Sequence, residues 1–133
     1  GFACADPKLI KYLNDVKYSF NSYTMDRTTI AAGVASMEDK AYFEESCNKI
    51  IATREWTKTE LKKLGFSFQD SKANFIFATH ESCPAKELFE ALREKHIYVR
   101  YFPKDRIDNH LRITIGTDEE MKKLIEFLTE YLK

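Results

Sequence analysis

Residues 111–121 read Leu-Arg-Ile-Thr-Ile-Gly-Thr-Asp-Glu-Glu-Met. Leu111 to Ile115 alternate apolar and polar, which is the pattern of a strand with one buried face. The period then changes. Thr117 followed three residues later by Glu120 forms a capping box. Beyond it Met121, Leu124, Ile125, Leu128 and Leu132 share one helical face. A half-buried strand that runs straight into an amphipathic helix predicts a sheet with helices laid on it.

The residues before this stretch extend the same architecture. Ile97 to Phe102 alternates as another strand, with Ile97 and Val99 apolar on one parity and Arg100 on the other. Asn74-Phe75-Ile76-Phe77-Ala78 is mostly apolar and reads as a central strand, and Phe66-Ser67-Phe68 as a short one. Pro84 opens a helix to about Lys95, with Leu88, Phe89 and Leu92 inward. The order from Phe66 onward is therefore β-β-α-β-β-α. The fold class is α/β, an α+β sandwich with a small, mostly antiparallel sheet covered by helices on one face.

Three helices come first. Asp6-Pro7 is a capped start, and Leu9, Ile10, Leu13 and Val16 carry the helical period to about Lys17. After a polar and aromatic loop, Phe20 to Thr24, Asp26 begins an Ala-rich helix from Thr28 to Met37. A third runs from about Asp39 to Leu64. Its expected stripe is Phe43, Cys47, Ile50, Thr57, Leu61 and Leu64, interrupted by Arg54, with Gly65 at C′. The first two helices have no obvious partner within so short a chain.

Composition narrows the function classes. The chain has 133 residues, the length of one domain. Lys plus Arg and Asp plus Glu are both 21, so there is no positive excess to neutralise nucleic-acid phosphates or a membrane surface. No apolar run is long enough to cross a bilayer. Cys4, Cys47 and Cys83 lack CxxC spacing and read as inert free thiols of a reducing compartment. The chain opens without Met on Gly1-Phe2-Ala3-Cys4-Ala5, as a cut inside a longer protein would.

Few residues are candidates for chemistry. His80, in an expected loop, His96 at a helix end and His110 before a strand are isolated and lack metal-ligand spacing, which leaves surface or capping roles. His96 at a C′ position is expected to take a left-handed conformation. No GxGxxG or Walker loop is present, and the carboxylates, such as Glu44-Glu45 and Glu119-Glu120, fall on helix surfaces and make no paired-carboxylate site. Parity supplies the one constellation. If Leu111, Ile113 and Ile115 face the helices, Arg112 points to the open side, and so does Arg100. As neighbours the two would converge on one anion, because a planar guanidinium meets carboxylate or phosphate bidentately. Spacing alone equally allows two solvated arginines, or arginines paired with nearby Asp.

The segments Val16 to Tyr23, Ile51 to Trp56, Lys72 to Ala78, Ile97 to Phe102 and Leu111 to Thr117 together resemble histidinol-phosphate aminotransferases. The resemblance spans all 133 residues but only the C-terminal third or so of that family's chain. It implies the small domain of a fold-type-I pyridoxal-phosphate enzyme, with residues 1–38 a remnant of the large domain and interdomain helices, and residues 39–133 the C-terminal small domain. It also implies a cytoplasmic homodimer that moves an amino group between L-histidinol phosphate and 2-oxoglutarate in histidine biosynthesis. By position Arg112 matches the arginine that grips the anionic end of the amino-acid substrate, and Arg100 one that helps hold the phosphate. Asn74 matches a polar position near the site, and Asn21 and Tyr23 a loop near the dimer interface. Two departures stand out. His96 replaces a usual Gly, and no lysine follows the Ser-Lys pattern of the Schiff-base residue. The 133 residues alone are therefore expected to be inactive and not to hold pyridoxal phosphate. An aromatic-amino-acid aminotransferase, a threonine-phosphate decarboxylase and a free-standing small-anion module remain alternatives.

Overall fold

Asp6 and Asp26 begin the first two helices as predicted. In the computed structural model, which describes residues 2–133, the Asp6 carboxylate accepts from the Lys8 N–H at 2.9 Å and opens α1 (Pro7–Phe20). Asp26 accepts from the Thr29 N–H at 2.7 Å and opens α2 (Arg27–Glu38). Each carboxylate satisfies a backbone donor that the first turn leaves unpaired. α1 runs past the expected end near Lys17, because no breaker precedes Asn21, whose N–H closes on the Lys17 carbonyl. Neither helix buries a residue. Leu9, Leu13 and Val16 stand exposed along one face of α1.

The chain divides into two compact units at Phe43/Glu44. The second unit holds the sheet. Its elements are the main part of α3 (Lys40–Lys63), β1 (Phe66–Phe68), β2 (Phe75–His80), α4 (Ala85–Glu94), β3 (Arg100–Tyr101), β4 (Leu111–Thr114) and α5 (Asp118–Tyr131). The strands lie in the order β1-β2-β4-β3, all antiparallel. β2 is central, as its apolar character predicts. Ile76, Ala78, Leu111, Ile113 and Ile115 send their side chains to one side, where Leu61, Leu88, Leu92, Leu124 and Leu128 close over them. Leu61, Leu88, Leu92 and Leu128 are at most 1% exposed, so truncating any of them to Ala removes roughly 2–5 kcal/mol. The helices thus cover one face, with α3 joining α4 and α5.

Three expectations need correction. The buried stripe of α3 is Thr53, Arg54, Thr57, Lys58 and Leu61, while Phe43 and Ile50 are exposed. The polar members are buried because each has a partner. Thr57 donates to the Thr53 carbonyl, Arg54 Nη1 donates to the Ala73 carbonyl at 3.1 Å, and Lys58 pairs with Glu55 and Asp70. Long cationic stems pack while their heads stay paired.

The third strand is shorter than residues 97–102 predict. α4 ends in a Schellman motif, with His96 at φ 59°, its N–H on the Arg93 carbonyl at 3.0 Å and the Ile97 N–H on the Leu92 carbonyl at 2.9 Å. The helix end thereby occupies the Ile97 amide that a longer ladder would need. His96 does take the left-handed conformation expected of it.

His80 is not in a loop but ends β2, buried. Its Nδ1 accepts from the Cys83 N–H at 3.1 Å, so the proton sits on Nε2, which donates to the Leu64 carbonyl at 2.9 Å. The ring is a neutral cap on the end of α3, beside Gly65 at φ 85°.

Candidate functional site

β3 and β4 pair so that Arg100 lies directly opposite Arg112. Alternation then decides what surrounds them. The core takes Tyr101, Leu111 and Ile113, and the arginines project from the face the helices leave open. Both are exposed. Phe77 lies opposite Arg112 on the other side of β4, and Phe75 opposite Thr114. Phe102 and His110 share the parity of the arginines on their own segments.

Among the described residues neither guanidinium makes an ion pair or a hydrogen bond, so the reading in which each serves a nearby Asp does not apply. Their neighbours are rings. The Arg112 guanidinium lies 5.6 Å from the centre of Phe75 and 6.0 Å from that of Phe102, and Arg100 lies 5.3 Å from Phe102. Phe77 meets Phe102 edge-on at 6.3 Å and stacks on His110 at 4.7 Å. The His110 side chain is thus neither a surface group nor a cap. Its Nδ1 is buried without a hydrogen-bond partner among the described residues.

Phe75, Phe77 and Phe102 were missed because an apolar strand reads as buried on both faces. Their signal was parity: Ile76 and Ala78 claim the core, which leaves Phe75 and Phe77 outside. Asn74 does not join the arginines. It is exposed at the end of the sheet, where its carbonyl accepts from the Ile115 N–H at 2.9 Å. Asn21 and Tyr23 are exposed in the first unit, in the loop after α1. Asn109, also missed, caps α4 from outside. Its Oδ1 accepts from the Ala85 N–H at 3.0 Å, supplying the acceptor that Pro84 lacks at the N-cap position. A helix that opens after a side chain with no acceptor was the available clue.

No other cluster in the second unit has the makings of a reaction centre. Burial, and then Glu87, push the Cys83 thiol up, away from a reactive thiolate. Lys58 is held protonated by Asp70 first and Glu55 next. A cleft of about 480 Å³ opens beside Tyr98, Val99, Ile113 and Leu124, and neither arginine lines it. No group of His, Cys, Asp and Glu among the described residues suits a metal ion. No helix among them is long and apolar enough to cross a membrane.

An antiparallel sheet under helices, with two arginines in register on its bare face, defines a small α/β domain. Residues 1–128 match the family of class I and II aminotransferases, and the chain belongs to that family. It is 49% identical over its whole length to a histidinol-phosphate aminotransferase of Brachyspira hyodysenteriae, covering 38% of that protein. It is 55% identical over 130 residues to one of Acinetobacter baumannii, covering 36% of it. The chain therefore spans little more than a third of these relatives. Its fold superposes on histidinol-phosphate aminotransferase from Sinorhizobium meliloti, solved with pyridoxal-5'-phosphate, with a TM-score of 0.74 at 25% identity, over 84% of this chain and 31% of that one. The Clostridium acetobutylicum enzyme matches with a TM-score of 0.63 at 26% identity, over 71% of this chain and 29% of that one.

Proposed function

We propose that this chain is the substrate-gripping C-terminal part of a histidinol-phosphate aminotransferase, which exchanges an amino group between L-histidinol phosphate and 2-oxoglutarate. The observation that carries the reading is the register of Arg100 against Arg112, unpaired on an open face. In this reading Arg112 holds the anionic end common to the amino donor and acceptor, and Arg100 adds the contact that suits a phosphate dianion. The full enzyme works as a cytoplasmic homodimer, to which Asn21 and Tyr23 contribute near the subunit contact, and Asn74 is a polar group at the edge of the site. Residues 1–38 belong with the large domain and residues 39–133 form the small one.

Pyridoxal phosphate supplies the electron sink for amino transfer when it is bound. The residues of this chain do not fit it. No lysine lies on the strands of the open face, and buried Lys58 is committed to Asp70 and Glu55. The cofactor therefore belongs with residues outside this chain.

The direct test is a titration of the chain with histidinol phosphate, followed by NMR of the arginine side chains. Saturable shifts at Arg100 and Arg112, with backbone-amide shifts elsewhere on the open face that are lost in the Arg100→Ala/Arg112→Ala variant, support the reading. Arginine signals unmoved by the ligand, or backbone shifts of unchanged affinity in that variant, refute it.

A further inference from the structure

Two guanidinium groups placed directly opposite each other on one sheet face repel, and such like-charge pairs destabilise a ladder. Unsupported, they would swing apart and would have to be gathered again for each anion. One ring stands against both of them. Phe102 lies 5.3 Å from the Arg100 guanidinium and 6.0 Å from that of Arg112, and no other ring is shared between the two among the described residues. We infer that Phe102 is a positioning residue that preorganises the arginine pair for a dianion. The inference rests on the anion reading above and adds to it the group that holds the site ready.

The physical basis is the quadrupole of the ring. Its negative face attracts a guanidinium plane and leaves the in-plane N–H donors for an anion. A shared ring thus offsets part of the mutual repulsion and removes rotamer freedom before the ligand arrives, which strengthens binding by lowering its ordering cost. Phe102 is itself braced. Phe77 meets it edge-on at 6.3 Å, and Phe77 is in turn stacked on His110 at 4.7 Å. Phe75, at 5.6 Å, serves Arg112 alone. This asymmetry separates the role of Phe102 from generic packing, because the two phenylalanines must leave different signatures.

The test uses the whole 133-residue chain and inorganic phosphate at a pH where it is dianionic, with 13C-detected NMR of the guanidinium groups. Phe102→Leu should shift both arginine signals in the anion-free chain, because both lose the ring current. It should weaken phosphate binding roughly 3- to 10-fold. Phe102→Tyr keeps the ring and should bind within about 2-fold of the parent. Phe75→Leu should move the Arg112 signal and leave Arg100 in place; if Phe102→Leu does not fold, Phe102→Met, which also removes the ring, takes its place. The inference is overturned if Phe102→Leu leaves the signals and affinity of the parent, or if Phe75→Leu moves Arg100 as much as Phe102→Leu does. Phosphate binding that Arg112→Ala abolishes but Phe102→Leu spares removes only the role of Phe102. Binding indifferent to both arginines removes the anion site itself, and the inference with it.

Discussion

Replacing Arg100 or Arg112 by Ala in the full-length protein should separate the two roles proposed for them by substrate. Both side chains are exposed and make only ring contacts, so either loss should change stability by less than about 1 kcal/mol. Part of that is returned, because the like charge across the ladder is also gone. The effect on catalysis is larger. A charge-assisted contact to an anion contributes about 1.5–3 kcal/mol. If it is retained in the transition state, its loss is roughly 10- to 150-fold in kcat/KM. Arg112→Ala should lower kcat/KM for histidinol phosphate, for a non-phosphorylated donor such as phenylalanine, and for 2-oxoglutarate alike. Arg100→Ala should spare phenylalanine and impair histidinol phosphate. Arg100→Lys should recover little, since an ammonium cannot reproduce the planar fork. The assay is the rate of each half-reaction against substrate concentration, with thermal unfolding as the control. Equal losses for the two donors in Arg100→Ala would falsify the phosphate role. Untouched half-reactions in Arg112→Ala would end the shared-anion reading.

Three further outcomes test the framework. Gly65→Ala should destabilise the chain by roughly 1–3 kcal/mol in urea unfolding, because φ is 85° and the new Cβ meets His80 Nε2 at 3.1 Å; a change under a few tenths would show that the His80 cap yields freely. Asp70, held down at about 2 by Lys58 first and then Lys72, has a folded pKa below its unfolded one, so its contribution is complete above the ordinary carboxylate range and fades as pH falls from about 4 to about 2. Asp70→Asn should flatten that part of the stability-against-pH curve, and an unchanged curve would assign the acid sensitivity to other groups. Helices α1 and α2 bury no residue and are short enough to be marginal alone, so their amides should exchange in the isolated chain much faster than those of β2 and β4; equal protection would mean that something covers them.

Local signals were legible wherever one residue type answers one backbone need. Asp6, Asp26 and the Thr117–Glu120 box mark helix starts because only an acceptor satisfies the first-turn N–H groups. Gly65 and His96 mark helix ends through their left-handed backbone. Alternation along residues 111–115 is enough to set Arg112 on the side opposite the apolar residues, and alternation along 97–102 does the same for Arg100.

What the sequence could not supply is which strand lies beside which and which neighbour claims each polar group. The pairing of β3 with β4 puts Arg100 opposite Arg112, since pairing is set by long-range burial and not by any local preference. The polar stripe of α3 looks like a solvent face until Ala73, Asp70 and Glu55 arrive to pair it. Phe102 looks like a core residue until the sheet closes and shows it beneath two cations. Periodicity reports which side of a strand or helix a residue occupies, and the sequence determined that much. What stands on that side comes from other parts of the chain, and the tertiary structure alone decided it.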